Sequence, residues 1–157
     1  MRFLLHATLL ISLSSVCLAQ KKDKTGVRPL KDATSKSLDA GASSYNDIAM
    51  RIWNFAEVGY KEEKSSALLA STLESNGFKV ERAVAGLPTA FVATYGSGQP
   101  VIGILAEFDA LPGLSQAAVP ERKSVSGQDA GHGCGHHLFG TASVAAGIEL
   151  KRLIENG

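Results

Sequence analysis

Cysteine is scarce in this chain, which contains only Cys17 and Cys134. Cys17 lies in an N-terminal segment that we expect to be removed, so the mature domain would keep one thiol and form no internal disulfide. A lone thiol in an oxidising compartment is exposed to oxidation unless something binds it. The cysteine content therefore excludes a disulfide-stabilised scaffold and favours a bound role, such as metal ligation, for Cys134.

A strong charge of one sign is also absent. The 157 residues include 16 Lys and Arg against 15 Asp and Glu, for a formal net charge of +1. No stripe of basic residues alternates with aromatic residues, so we predict no nucleic-acid partner. The glycines at 131, 133, 135 and 140 do not form G-x-G-x-x-G, and no G-K-[ST] follows them, which argues against a phosphate-binding loop.

No apolar run is long enough for a typical membrane-spanning helix, which needs about 20 residues. The longest, Phe3–Val16, follows Met1-Arg2 and leads into Cys17-Leu18-Ala19, with small residues where a signal peptidase cleaves. Residues 1–19 are therefore predicted to be a secretory signal peptide, with a membrane anchor as the alternative. The mature protein is expected to be exported, to the periplasm or outside the cell, with no membrane span.

The remaining chain divides by composition. Residues 20–42 are polar and lack an apolar period, which predicts a flexible linker, and 43–157 is predicted to fold. The run at 101–106 is apolar without alternation, as expected of a strand covered on both faces. The order of elements predicts an α/β fold with helices on the faces of a sheet: helices from near 44, over 62–75 and over 138–155, strands near 78–80, 90–95 and 101–106, and a loop over 113–130.

The segment Gly131–Gly140 contains one thiol and three imidazoles within six positions. His132, Cys134 and His136 share one parity, so in an extended chain all three would face the same ion. Thiolate and imidazole are preferred ligands of zinc and neighbouring metals, and the dipole of a following helix favours the thiolate. His137 is out of phase and is predicted to cap that helix or contact substrate. The alternative is a set of core histidines.

Carboxylates follow the predicted buried strand. Glu107 and Asp109 share a parity at its C-terminal end, where ligands bind in open α/β sheets. Ordinary turn chemistry is the alternative, because Asp is common before Pro and Gly in loops. The pair Glu62-Glu63 begins a helix inside a charged run with Lys61 and Lys64, so we interpret it as a solvated helix face.

Four segments together resemble the N-terminal part of the M20 family of metallopeptidases and amidohydrolases. The similarity is strongest to the branch that contains the B subunits of aminobenzoyl-glutamate hydrolases. It covers the chain from about Tyr45 onwards, and the segments that show it are 52–57, 86–91, 107–116 and 131–140.

This resemblance implies a two-metal hydrolase, with zinc or manganese, and a three-layer α/β/α zinc-peptidase-like catalytic domain. Cys134 and His136 match the family's metal ligands, and Asp109 matches a carboxylate that supports the site. Glu107, His132 and His137 are further candidates for contacts with substrate or with the ligands, although many relatives have Asp or Asn in place of His137. The family's Glu-Glu dipeptide, its later histidines and the lid through which it forms homodimers would follow Gly157, so we expect 43–157 to be a truncated domain.

The resemblance also implies the reaction. The whole protein would cleave the amide bond of a small-molecule substrate, either an N-acyl or N-aroyl amino acid similar to aminobenzoyl-glutamate or a dipeptide-like compound. Residues 20–157 alone are predicted to be inactive. The alternative is a truncated, non-catalytic, secreted metal-binding module. A reading frame that continues into a strand and a Glu-Glu pair would favour the enzyme.

Overall fold

The computed structural model describes residues 26–156. The predicted signal peptide therefore lies outside the described residues. Helices pack against one another and against a β-hairpin, and a second, two-residue ladder lies beside the candidate site. In chain order, the elements are α1 (Val27–Phe55), α2 (Glu63–Ser75), β1 (Lys79–Arg82), β2 (Phe91–Thr94), β3 (Leu111–Pro112), β4 (Ala130–Gly131) and α3 (His136–Glu155).

Helix α1 begins at Val27 rather than near Ser44, so the linker prediction for 20–42 is wrong from Val27 onwards. The less exposed positions of α1 do recur at helical spacing, but in its first half they are mostly polar or small. There Ser37 donates a hydrogen bond to Glu149 of α3, and Arg152 donates one to Thr34. A search for an apolar period misses this kind of contact. No helix within residues 26–156 is long and apolar enough to cross a membrane.

The hydrophobic core lies where the three helices meet. Ile52 of α1 and Leu69 of α2 are fully buried, and Val144 of α3 is 3% exposed. Leu73 follows Leu69 by four residues on the same face of α2, so the predicted helix over 62–75 is confirmed within one residue. The aromatic side chains of Phe78, Phe91 and Phe108 pack against this cluster from the residue before β1, from β2 and from the segment before β3.

Strands β1 and β2 form an antiparallel hairpin in which Val80 pairs with Ala93. Both strands were predicted, and their alternation places Val80 and Phe91 towards the core while Glu81 and Val92 face outwards. The hairpin covers one side of α2. It positions Thr89, at its inner end, against the start of that helix.

The segment 101–106 is not a strand, and this prediction is wrong in the structure. Val101 is 77% exposed and Leu105 is 75% exposed, although both were expected to be covered. Within residues 26–156 no strand pairs with this segment, and the Leu105 carbonyl instead accepts a hydrogen bond from the Ser143 hydroxyl of α3. An apolar run becomes a buried strand only beside partner strands. The described strands form two separate two-stranded sheets, and the three-layer arrangement remains a prediction.

Backbone contacts bring the segment that contains Glu107 and Asp109 close to the segment 131–140. Ala110 donates to the Glu57 carbonyl at 2.7 Å, and β3 pairs with β4 so that Leu111 lies opposite Gly131. Helix α3 then packs closely against the segment before β3, because Gly140 has no side chain. A Cβ at Gly140 would lie 3.0 Å from the Glu107 carbonyl oxygen.

Candidate metal centre

Glu107, Asp109 and His136 meet at the N-terminus of α3. Each offers one potential ligand atom, and these atoms all lie within 4.8 Å of one another. His136 Nδ1 donates to Asp109 Oδ1 at 2.8 Å, and His136 Nε2 lies 3.0 Å from Glu107 Oε2. The sequence predicted all three residue types for the site. The structure adds that both carboxylates contact the same imidazole.

The donor set fits a divalent metal ion. Because a carboxylate only accepts hydrogen bonds, Nδ1 of His136 donates to Asp109, while Nε2 lies towards Glu107. A divalent cation bound at Nε2 would be shared with Glu107. Imidazole and carboxylate oxygen are ligands of zinc and of manganese. The metal expectation is thus supported by the chemistry of the residues, while the identity and number of the ions remain predictions.

Asp109 is placed to orient the His136 ring rather than to compete with it for the metal ion. A histidine that binds a metal through one nitrogen usually donates its other N–H to a carboxylate, which fixes the ring. The Nδ1 contact to Asp109 has this geometry, and it leaves Nε2 directed towards Glu107. The side chain of Glu107 is half exposed, so its oxygens are accessible from the solvent.

Cys134 does not join this cluster in the structure. It is exposed, and the predicted shared face of His132, Cys134 and His136 is not observed. The reason is local: Gly133 and Cys134 form a turn that is closed by a hydrogen bond from the Gly135 N–H to the His132 carbonyl, and α3 begins at His136, so the alternation of an extended chain already ends after His132. His136 is the first residue of the helix, whereas we expected it just ahead of the helix. Ligation by Cys134 stays a prediction.

His132 and His137 face the interior instead. They are 5% and 8% exposed, and their ring centroids are 5.0 Å apart. The Trp53 indole lies against both, with its centroid 4.9 Å from that of His137 in an edge-on arrangement. Two of the three histidines of the segment are therefore packed on the end of α1, as the core-histidine alternative proposed.

Burial sets the protonation of these two residues. It lowers the pKa of His137 to about 4, with repulsion from His132 as the smaller cause. Burial also lowers the pKa of His132, partly offset by a hydrogen bond to Ile52. Because the Ile52 carbonyl can only accept, His132 Nε2 carries the proton and donates at 3.0 Å. In the neutral ring, Nδ1 of His132 is then an acceptor, and no described residue bonds to it.

Two carboxylates near the site were missed or misjudged from the sequence. Glu57 accepts hydrogen bonds from the backbone N–H groups of Lys64 and Ser65, at 3.0 and 2.8 Å, and so caps the start of α2. Glu62 is 8% exposed and accepts from the Thr89 hydroxyl at 2.7 Å. The prediction of a solvated face is therefore wrong for Glu62, because the hairpin covers it. The sequence signal that could have identified both residues is their position, because acidic residues just before a helix often bond to its first N–H groups.

Comparison with known proteins gives three informative relatives. The chain is 48% identical over 120 residues, 76% of its length, to the B subunit of p-aminobenzoyl-glutamate hydrolase of Escherichia coli. It is 28% identical over 81% of its length to the Xaa-Arg dipeptidase of Mus musculus. It is 36% identical over 57% of its length to thermostable carboxypeptidase 1 of Saccharolobus solfataricus.

The chain spans 25%, 28% and 22% of the lengths of these three relatives. No protein-family profile matches it. The relatives are hydrolases of amide and peptide bonds, and the candidate centre has the carboxylate and imidazole groups that metal-dependent hydrolysis uses. The chain belongs to the M20 family of metallopeptidases and amidohydrolases, and the predicted resemblance is confirmed.

Proposed function

We propose that the protein is a metal-dependent amidohydrolase that cleaves the amide bond of N-acyl or N-aroyl amino acids or of dipeptide-like substrates. The observation that carries the proposal is the contact of His136 with both Glu107 and Asp109 in an M20-type chain. The names of the relatives support the substrate class, since each acts on an amide or peptide of an amino acid.

Each residue of the site has a defined task in this proposal. His136 and Glu107 would hold a zinc or manganese ion, and we propose Cys134 as a further ligand and a second ion in the complete site. Asp109 keeps the His136 ring oriented by accepting a hydrogen bond from its Nδ1–H. A bound divalent ion supplies Lewis acidity and a low pKa for bound water. His132 and His137 would pack the interior behind the site, where Trp53 fixes their rings, without contact to the ion.

Hydrolysis by the purified whole protein tests the proposal. Zinc or manganese should restore turnover of p-aminobenzoyl-glutamate or N-benzoyl amino acids after treatment with a chelator. Turnover that survives complete metal removal would contradict the metal-dependent mechanism. Metal binding without turnover of any acyl-amino acid would instead support the non-catalytic secreted metal-binding module.

Residues 20–157 alone give a second test of the same proposal. They supply few of the groups that a two-metal site requires, so we propose that this portion alone has no turnover and that the activity needs further ligands and a general base. Chelator-sensitive turnover by 20–157 would show that the residues described above suffice.

We further propose that the protein is exported and that it forms homodimers through a lid domain. The composition of residues 1–19 supports export. N-terminal sequencing of exported protein should find a mature terminus at or near Gln20, and retention of 1–19 would contradict it. Light scattering of the whole protein should give a dimer mass, which a monomer mass would contradict.

A further inference from the structure

Glu57 lies between the end of α1 and the start of α2, and three hydrogen bonds hold its side chain. Oε1 accepts from the Lys64 N–H at 3.0 Å, and Oε2 accepts from both the N–H and the hydroxyl of Ser65 at 2.8 Å. Ser65 is fully buried, so its hydroxyl is shielded from solvent. Two N–H groups that have no partner within the helix are thereby satisfied. The carboxylate therefore has a defined position relative to the first turn of α2.

The backbone of Glu57 holds the segment that contains the candidate ligands. Its carbonyl accepts from the Ala110 N–H at 2.7 Å, and Val58 pairs with Ala110 in a parallel bridge. Ala110 is 2% exposed and directly follows Asp109, whose carboxylate accepts from His136 Nδ1. The first turn of α2 is thus connected to the His136 ring through a single residue, which bonds to the helix by its side chain and to the site by its backbone.

The loop that contains Glu57 adopts an unfavourable backbone conformation on both sides of it. Ala56 has a φ of 47° and Tyr60 a φ of 66°, in the left-handed region that residues with a Cβ rarely adopt. Such conformations persist only where the surrounding structure fixes them, and they are frequent at functional sites. The loop also approaches the site, since a Cβ on Gly59 would lie 3.9 Å from Asp109 Oδ2. The bonds of the Glu57 carboxylate lie between the two strained positions and fix the loop there.

The segment before Asp109 depends on contacts of this kind. Residues 101–109 form no strand in the part of the chain that the structure describes, so no ladder of hydrogen bonds fixes their backbone. The Ser143 hydroxyl holds the Leu105 carbonyl at 2.8 Å, four residues before Asp109. The Glu57 carbonyl acts at the residue next to Asp109. It is therefore the closer of these two contacts to the carboxylate that meets His136.

We propose that Glu57 is a positioning residue for the metal centre: its carboxylate, through the backbone of the same residue, sets where Asp109 meets the His136 ring. Displacement of the Glu57 carbonyl would move Asp109 away from the Nδ1–H of His136. The ring would then lose the contact that leaves its Nε2 directed towards Glu107. The inference rests on the proposed function for the bound ion, and Glu57 acts through Asp109 rather than on the ion itself.

The zinc affinity of the whole protein, measured by competition with a chelating dye, tests the inference without turnover. Glu57→Gln keeps the shape of the side chain but leaves one acceptor oxygen instead of two, so a donor of α2 loses its partner. We expect zinc binding to weaken by about tenfold, the lower end of the effect of groups that support a metal ligand.

A double-variant cycle separates positioning from a general loss of stability. Asp109→Ala removes the carboxylate through which Glu57 would act. In that background, Glu57→Gln should change zinc affinity by less than about threefold, because two residues that act through one contact are not additive. The same loss of affinity with and without the Asp109 carboxylate would overturn the inference.

The matched control is Ser66→Ala, in the same turn of α2. The Ser66 hydroxyl donates to the Thr89 carbonyl at 2.6 Å and not to Glu57, so this variant should lower stability and keep the wild-type zinc affinity. Ser65→Ala removes a single donor to Glu57 and should weaken zinc binding by about two- to threefold. This variant decides the question if Glu57→Gln does not fold.

Three results would overturn the role of Glu57: unchanged zinc affinity in Glu57→Gln or, where that variant does not fold, in Ser65→Ala; an equal loss in Ser66→Ala; or no zinc binding by the wild type. Metal-dependent hydrolysis, measured on the same preparations, reports on the proposed function separately. Chelator-sensitive turnover with unchanged zinc affinity in Glu57→Gln would remove only the role of Glu57. The expected cycle without any turnover would keep that role and contradict the amidohydrolase.

Discussion

Within one short segment, the same residue type has two opposite environments. His132 and His137 are buried against Trp53, and burial lowers the pKa of both. His136, between them, faces outwards and contacts two carboxylates. The comparison shows that a cluster of histidines is not one site: the neighbours of each ring decide whether it packs the interior or is available to a metal.

The division follows from where α3 begins. From His136 onwards the side chains follow a helical period, so consecutive residues point about 100° apart and His137 turns inwards. On the outer side, Glu107 and Asp109 arrive from the segment that precedes β3, held by the contact of Ala110 with Glu57. The metal centre therefore depends on the packing of α3 against this segment.

The largest expected effect is at the outward histidine. His136→Gln should weaken zinc or manganese binding by more than about 100-fold, because changes in groups that merely support a ligand already cost about 10–100-fold. His137→Gln, one residue away but inward, is the matched control and should change metal affinity by less than about threefold. Calorimetric metal titration of both variants checks this, and equal losses would remove the distinction between the two environments.

Asp109→Asn should have the next largest effect. The change keeps the shape of the side chain but removes the charge that orients His136, so activity or metal affinity should fall by about 10–100-fold. The control Asp129→Asn, in the loop before β4, should leave activity and metal affinity unchanged within experimental error. If Asp109→Asn were fully active, Asp109 would have only a turn-forming role.

Labelling of Cys134 gives a third test, on a residue that faces outwards. The thiol is exposed, so reagents should modify it readily in metal-free protein. If Cys134 is a ligand, bound metal should slow this modification several-fold, and His136→Gln should abolish the protection. Equal labelling rates with and without metal in the wild-type protein would count against Cys134 as a ligand.

A smaller effect, on stability, tests the packing that brings the two carboxylates to α3. Gly140→Ala should destabilise the protein by about 1–3 kcal/mol, since a Cβ there would lie 3.0 Å from the Glu107 carbonyl oxygen and 3.1 Å from Leu69 Cδ1. Gly147→Ala in the same helix meets only contacts of 3.9 Å, and should stabilise it by about 0.5–1 kcal/mol. Denaturant unfolding measures the free energy of unfolding of both variants. Equal changes in the two would contradict the close approach of α3 to the Glu107 carbonyl.

The sequence predicted the parts of this molecule that local patterns determine. The spacing of Leu69 and Leu73 predicted α2, alternation and β-rich composition predicted the two strands of the hairpin, and residue chemistry selected Glu107, Asp109 and His136 as candidates whose roles stay predictions. The predictions that failed depend on distant neighbours. The first half of α1 packs through Ser37 and Thr34 rather than through an apolar stripe, and the exposure of 101–106 depends on which strands lie beside it.

At the candidate site, too, the predictions based on neighbours in sequence failed where contacts with distant residues decide the structure. Parity grouped His132, Cys134 and His136, but the turn between His132 and Gly135 and the helix start at His136 changed the period within the segment itself. Glu62 was judged from its charged neighbours in sequence, whereas Thr89 and the hairpin, 27 residues away, bury it. Residue type therefore predicted the chemistry, and only the fold showed which of these residues meet.

Anomalous diffraction from crystals of the whole protein grown with zinc or manganese tests the central claim most directly. The account predicts a peak at the metal edge bonded to His136 Nε2 and Glu107, with Asp109 still hydrogen-bonded to His136 Nδ1. A peak bonded instead to His132 or His137, or one that has no contact with His136, would contradict it.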